Sequence, residues 1–151
     1  MDVIYSLLTA MIASCDLYMK GISERRSKTG ERKTLKGKVL LRNVHNRGLA
    51  LNLLEKHPWI VKTASVLGTA VVLCIQFLLY GTRGRFLQKT GVALISGGAI
   101  SNTVDRLRKG YVVDYIGFDF KKKKRRRITY NLGDFSIFAG IFFFILDLIY
   151  N

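Results

Sequence analysis

The sequence predicts an all-α membrane protein, one domain over residues 1–151, with four transmembrane helices and a small β element outside the hydrocarbon. Three observations predict it. Apolar residues make up 49% of the chain although its formal net charge is +15, and the two kinds of residue fall in separate blocks. Four apolar blocks, Val3 to Met19, Trp59 to Tyr80, Phe86 to Ile100 and Phe135 to Tyr150, approach the roughly 20 residues that a helix needs to cross a bilayer. Acidic residues stand against these blocks, where an ionisable side chain costs about 2.5–3.5 kcal/mol at membrane depth and therefore needs a reason. A chain of 151 residues has room for one domain and too little remaining sequence to cover four such segments with soluble protein.

Each element follows from local pattern. The first helix, about 3–20, opens directly on apolar sequence. Ile12-Ala13-Ser14-Cys15 has the pattern of a lipoprotein processing box, but no basic segment precedes the apolar run, so the helix is read as retained. Gly21 to Pro58 is long and basic, and the alternation of Lys38-Val39-Leu40-Leu41-Arg42-Asn43-Val44-His45 predicts a strand. The second helix, about 59–80, has Lys62 as its charge, and Gly81 to Arg85 is a turn. The third, about 86–106, is the least apolar. It takes in Gln88, Lys89 and the small-residue string Ser96-Gly97-Gly98-Ala99, and alone it would equally suit a buried soluble helix. Leu107 to Gly133 has β-leaning runs at Tyr111–Ile116 and Ile128–Tyr130, which predict a hairpin or loop outside the bilayer because open strand edges are not tolerated within it. The fourth helix, about 134–150, sets Asp147 against the Phe142-Phe143-Phe144 core.

Metal and nucleic-acid chemistry are not expected. Cys15 and Cys74 lie in different apolar blocks without Cys-x-x-Cys spacing and are read as free, packed thiols. His45 and His57 share a loop with no ligand set around them, so no metal is expected. The run Lys121–Arg127 lacks the interleaved aromatics of a nucleic-acid surface. Attraction to anionic headgroups, worth about 1 kcal/mol per basic residue, and a solvated loop tip are both open readings.

The acidic residues carry the functional signal. On a helix, residues three and four apart share a face, so Gly98, Asn102, Asp105 and Arg106 line one stripe, and Asn131 stands beside Asp134. Asp114 follows in the strand-like stretch, close enough to fold back over the helix end. Two carboxylates a few ångströms apart share one proton, which supplies an acid and a base together. Asparagines hold substrate backbone beside such a pair without adding charge. The plainer alternative is that these acids only pair with Arg106, Arg108 and Lys109 at the interface. Two Asn-x-x-Asp spacings on neighbouring segments weigh against it.

These residues carry a family resemblance along nearly the whole chain. Asp16-Leu17-Tyr18-Met19-Lys20 resembles D-x-x-x-K, and Asn46-Arg47-Gly48-Leu49-Ala50-Leu51 resembles N-x-G-A-A-F. Gly97-Gly98-Ala99-Ile100-Ser101-Asn102-Thr103-Val104-Asp105-Arg106 resembles G-G-A-x-x-N-x-x-D-R, Val113-Asp114-Tyr115 resembles V-D-F, and Tyr130-Asn131-Leu132-Gly133-Asp134 resembles F-N-x-A-D. Order and spacing agree, and the chain resembles the lipoprotein signal peptidases (signal peptidase II), membrane aspartic proteases. The resemblance implies a catalytic dyad of Asp114 and Asp134. It implies substrate-binding or supporting roles for Asn46, Asn102, Asp105, Arg106 and Asn131, and a structural pair in Asp16 and Lys20. It further implies cleavage before the lipidated cysteine of diacylglyceryl-modified prolipoproteins, without a cofactor, by a monomer. A non-catalytic binder of signal peptides or anionic lipid, or a small proton-coupled transporter component, are the alternatives from other classes.

Leu49, Leu51 and Gly133 depart from the family pattern, which bears on the lid and pocket and leaves the dyad intact. The resemblance puts the protein in the bacterial inner membrane with both termini in the cytoplasm. Its β element forms a cradle over an extracytoplasmic active site. The positive-inside rule runs against that orientation, because the two large loops hold most of the positive charge.

Overall fold

The computed structural model describes residues 2–26, 32–34, 39–49, 53–118 and 129–150. The chain runs α1 (Asp2–Arg26), β1 (Arg32–Thr34), β2 (Val39–Asn46), α2 (Pro58–Leu79), α3 (Phe86–Lys109), β3 (Val112–Phe118), β4 (Thr129–Tyr130) and α4 (Leu132–Tyr150). Of the four long helices, α1, α2 and α4 are long and apolar enough to cross a membrane. They turn large apolar side chains outwards, among them Leu7, Phe77, Leu78, Phe142 and Ile149, an exterior that suits lipid rather than water. Cys15 and Cys74 are unpaired and also face outwards, so they are lipid-facing thiols rather than the packed groups expected.

The least apolar helix is the central one. α3 packs against α1, α2 and α4, so Gln88, Lys89, Ser96, Ser101, Asn102 and Asp105 meet protein instead of lipid. Such polar side chains join helices in apolar surroundings. Thr9 of α1 donates to the Ala93 carbonyl of α3, and Gln76 of α2 donates Nε2 to Thr9 Oγ1 at 3.0 Å and to the Tyr80 hydroxyl at 2.8 Å. At one end of the bundle Lys89 meets Asp2 at 3.0 Å and the Thr82 carbonyl at 2.8 Å. At the other end stands the sheet.

Glycines set the distance between α3 and α4. A Cβ on Gly140 would collide with the Gly91 carbonyl and lie 3.0 Å from the backbone nitrogen of Ile95, and a Cβ on Gly98 would collide with the Gly133 carbonyl. Backbone cannot yield as a side chain can. Gly140→Ala is expected to destabilise the protein by about 1–3 kcal/mol, the usual range for overpacking, read as a lowered midpoint of unfolding in detergent.

The sheet is antiparallel in the order β1-β2-β3-β4. β2 pairs Leu41 with Ile116 and then Val44 with Asp114, so Arg42 and Asn43 together oppose Tyr115, a bulge beside the carboxylate. β3 and β4 pair at Ile116–Tyr130 and Gly117–Thr129, so of the hairpin or loop expected around the basic run the flanking strands pair as a hairpin's do. β1 was not anticipated. Two helices outrun their expected ends: α1 continues to Arg26 and α3 to Lys109. Their polar last turns are held by the sheet, with Ser23 Oγ donating to the Arg42 carbonyl and Glu24 accepting from Lys109 and the Tyr111 hydroxyl. Gly110 then ends α3 in the left-handed conformation, φ 82°, which lets the chain turn into β3. Lys38, Leu51, Ile128 and the run Lys121–Arg127 lie outside the described residues.

Candidate active site

The site forms where the N-terminus of α4 meets β3 and the last turns of α3. Asn131 caps α4: its Oδ1 accepts from the Asp134 backbone N–H at 2.8 Å, while Asp134 Oδ2 accepts from the Asn131 N–H at 3.1 Å. This reciprocal arrangement is a capping box, and it explains locally why Asn and Asp stand three apart. The same Asn131 donates Nδ2 to Asp114 Oδ1 at 2.8 Å. One residue therefore binds both carboxylates, Asp114 through its side-chain amide and Asp134 through its backbone N–H. Asn46, at the end of β2, donates to Asp114 Oδ2 at 3.3 Å, and Asn102 donates to Asp134 Oδ1 at 3.0 Å.

Behind the pair lies a buried ionic cluster. Lys20 and Asp16 meet at 2.7 Å with both side chains fully buried. Lys20 Nζ also donates to Ser101 Oγ at 2.9 Å and to Asn102 Oδ1 at 2.7 Å, and the Ser101 hydroxyl donates in turn to Asp16 Oδ2 at 2.6 Å. Lys20 thus decides which way the Asn102 amide faces, leaving Nδ2 for Asp134. Asp105 meets Lys109 at 2.9 Å, lies 3.8 Å from Lys20, and accepts from the Val113 N–H at 3.1 Å. Its contact is with the backbone that carries Asp114. The second Asn-x-x-Asp spacing, Asn102 with Asp105, lies inside α3 and is accordingly not a cap: Asn102 donates to Asp134, Asp105 accepts from the Val113 N–H, and both lie beside Lys20.

Burial and the nearby Asp134 charge raise the Asp114 carboxyl from 3.8 to about 7, against the donors Asn131 and Asn46. Arg106 donates Nη2 to the Gly48 carbonyl at 2.9 Å, tying the residues just after β2 to α3, and its charge feels Asp134, Asp114 and Asp105. Gly133, where a methyl group was the family expectation, has a local reason to be bare. A Cβ there would lie 2.8 Å from Asp16 Oδ2 and 3.0 Å from Asn131 Oδ1.

The structure gathers the residues singled out from sequence into one end of the molecule: Asp114, Asp134, Asn46, Asn102 and Asn131 in one hydrogen-bonded group, with Asp16, Lys20 and Asp105 behind it and Arg106 at its edge. Lys109, named as a possible partner of the acids, does pair with Asp105, whereas Ser101 and Tyr115 were not singled out. Ser101 had a signal, since it lies four residues before Asp105 on the face turned to α1. Tyr115 had none beyond its place beside Asp114. Among the described residues no three His, Cys, Asp or Glu side chains converge as a metal site would require.

Apolar helices with paired carboxylates at their junction with a small sheet define a polytopic membrane protein with a polar centre at one end of an apolar bundle. The chain belongs to the signal peptidase II family, whose sequence profile, described as signal peptidase (SPase) II, matches residues 8–150. It is 33% identical over 113 residues to a lipoprotein signal peptidase of Lactiplantibacillus plantarum, covering 75% of this chain and 71% of that one. With the lipoprotein signal peptidase of Enterococcus faecalis it shares 28% identity over 140 residues, covering 92% and 83%. A solved structure described as a bacterial membrane enzyme shares the fold, with a TM-score of 0.77 at 18% identity over 97% of this chain and 87% of that one. The protein is therefore a multi-pass membrane peptidase.

Proposed function

We propose that this peptidase works by an aspartic mechanism, with Asp114 and Asp134 as the catalytic dyad. It removes signal peptides from prolipoproteins by cutting before a diacylglyceryl-modified cysteine. The observation that carries the reading is Asn131, which binds both carboxylates and so holds them as a pair. Asp134 lies in the first turn of α4, where backbone N–H groups and the helix dipole favour negative charge, and it is the base. Asp114, raised to about 7, holds the shared proton and is the acid.

Water adds to the scissile carbonyl carbon as Asp134 takes its proton and Asp114 gives its own to the carbonyl oxygen. The tetrahedral diol collapses with proton transfer from Asp134 to the leaving nitrogen and from a diol hydroxyl back to Asp114. The C–N bond breaks, leaving a carboxyl end on the signal peptide and a free amine on the lipidated cysteine. Asn46 and Asn102 orient the carboxylates and meet the substrate backbone, and Arg106 holds the loop that closes over it. A substrate that is partly helix and partly lipid accounts for a site at the end of an apolar bundle.

In this reading α3 is the fourth transmembrane helix, because it joins the Asp2–Lys89 end to the sheet end. The sheet and the dyad face the extracytoplasmic side, and one chain supplies the whole site.

The test is cleavage of a lipid-modified prolipoprotein by the purified protein across pH. Below about pH 7 the pair keeps its one proton; above it that proton is lost and the acid disappears. On the alkaline side kcat/KM is expected to fall about tenfold per pH unit. Cleavage that is undiminished at pH 9 with stable substrate would rule out Asp114 as the acid.

A further inference from the structure

The Tyr115 hydroxyl joins three elements. It is buried, 3% exposed, and from β3 it donates to Asp16 Oδ1 on α1 at 3.0 Å and accepts from the backbone N–H of Leu132 at 3.1 Å. Leu132 is the first residue of α4, and its N–H is among those that no helix can satisfy internally. Tyr115 follows Asp114, and Leu132 follows Asn131. Two successive side chains of β3 therefore grip two successive residues at the start of α4, one through the Asn131 amide and one through the phenol. The β2 bulge lies opposite Tyr115, and bare Gly133 lets the Asp16 carboxylate approach α4 closely enough for the phenol to reach both. Burial and the Asp16 charge push the phenol above its ordinary range, so it remains a neutral donor.

We propose that Tyr115 is a positioning residue for cleavage: its hydroxyl, braced on Asp16, fixes the start of α4 against β3 and thereby sets Asp134 against Asp114. The inference rests on the dyad reading above. Catalysis is sensitive to such placement, since a shift of about 1 Å can cost about 10²-fold in rate.

The experiment compares Tyr115→Phe, Leu132→Pro and their combination with the parent protein in the prolipoprotein assay, with Asp114→Asn alongside. Leu132→Pro removes the same bond from the other side, at a first helical position where proline is well tolerated. Tyr115→Phe is expected to lower kcat about tenfold with KM within about twofold. Its alkaline limb should move to lower pH, because a more distant Asp134 holds the proton on Asp114 less firmly. Leu132→Pro should show the same changes, and the double variant should be no worse than either single one, as two halves of one contact require.

An unchanged kcat and pH profile in folded Tyr115→Phe would overturn the proposal. So would losses that multiply in the double variant, or a loss accounted for by a smaller folded fraction. If Tyr115→Phe does not fold, Leu132→Pro decides, and unchanged kcat there overturns it. Activity in Asp114→Asn would remove the dyad reading itself, whereas an inactive Asp114→Asn beside a normal Tyr115→Phe would remove only the role of Tyr115.

Discussion

Asp114→Asn and Asp134→Asn are each expected to lower kcat by about 10²–10⁴-fold, the range supplied by a positioned acid or base. The amide keeps the size of the carboxyl and can still hydrogen-bond to its neighbours, so folding and membrane insertion are expected to survive. The chemical cause is specific. Asn at 134 has no basic oxygen strong enough to take a proton from water, and Asn at 114 has no acidic proton for the carbonyl. Asp105→Asn is a useful contrast, because Asp105 bonds Lys109 and the Val113 backbone rather than the pair. Its loss of rate should be smaller. Single-turnover cleavage with purified, folded variants measures this, and near-normal rates in either dyad variant would end the aspartic mechanism.

Lys20→Met is expected to destabilise the fold by about 3–5 kcal/mol, the cost of leaving a buried charge without its partner. The side chain of Lys20 is fully buried, and its ammonium contacts Asp16, Ser101 and Asn102. Without it the donors left to the Asp16 carboxylate among the described residues are Ser101 and Tyr115. Adding Asp16→Asn to Lys20→Met removes the stranded charge and should recover part of the loss. Denaturant unfolding in micelles compares the three proteins; equal stability of Lys20→Met and parent would show that the pair is not needed for the fold. Activity should fall further than stability explains, since the Asn102 amide would no longer be held with Nδ2 toward Asp134.

The helices were legible because lipid demands long apolar runs, and Trp59 to Tyr80 matches α2 within a residue at each end. The same rule failed at the polar ends. Apolar pattern stops near the bilayer boundary, but α1 and α3 continue because Ser23, Glu24 and Lys109 find partners on the sheet or on each other. β1 offered no pattern: Arg32-Lys33-Thr34 is three polar residues that pair through backbone with Thr34 opposite Val39. At the site, local spacing exposed Asn131 with Asp134, which a helix cap explains. It could not expose Tyr115, whose partner Asp16 lies 99 residues earlier in the chain. Such contacts are set by tertiary packing, which single-sequence spacing does not encode.

Asp134 is rooted in the bundle, whereas Asp114 stands on a strand whose neighbour β4 is two residues long. The seam between them is crossed by Asn131, Tyr115 and the Asp105 contact to Val113. Small peripheral elements open at lower free energy than the core to which they dock. Detachment of the sheet would separate the carboxylates while the helices stay intact in lipid. On heating, loss of cleavage is therefore expected to precede loss of helical signal, a separation that parallel activity and circular-dichroism melts would measure.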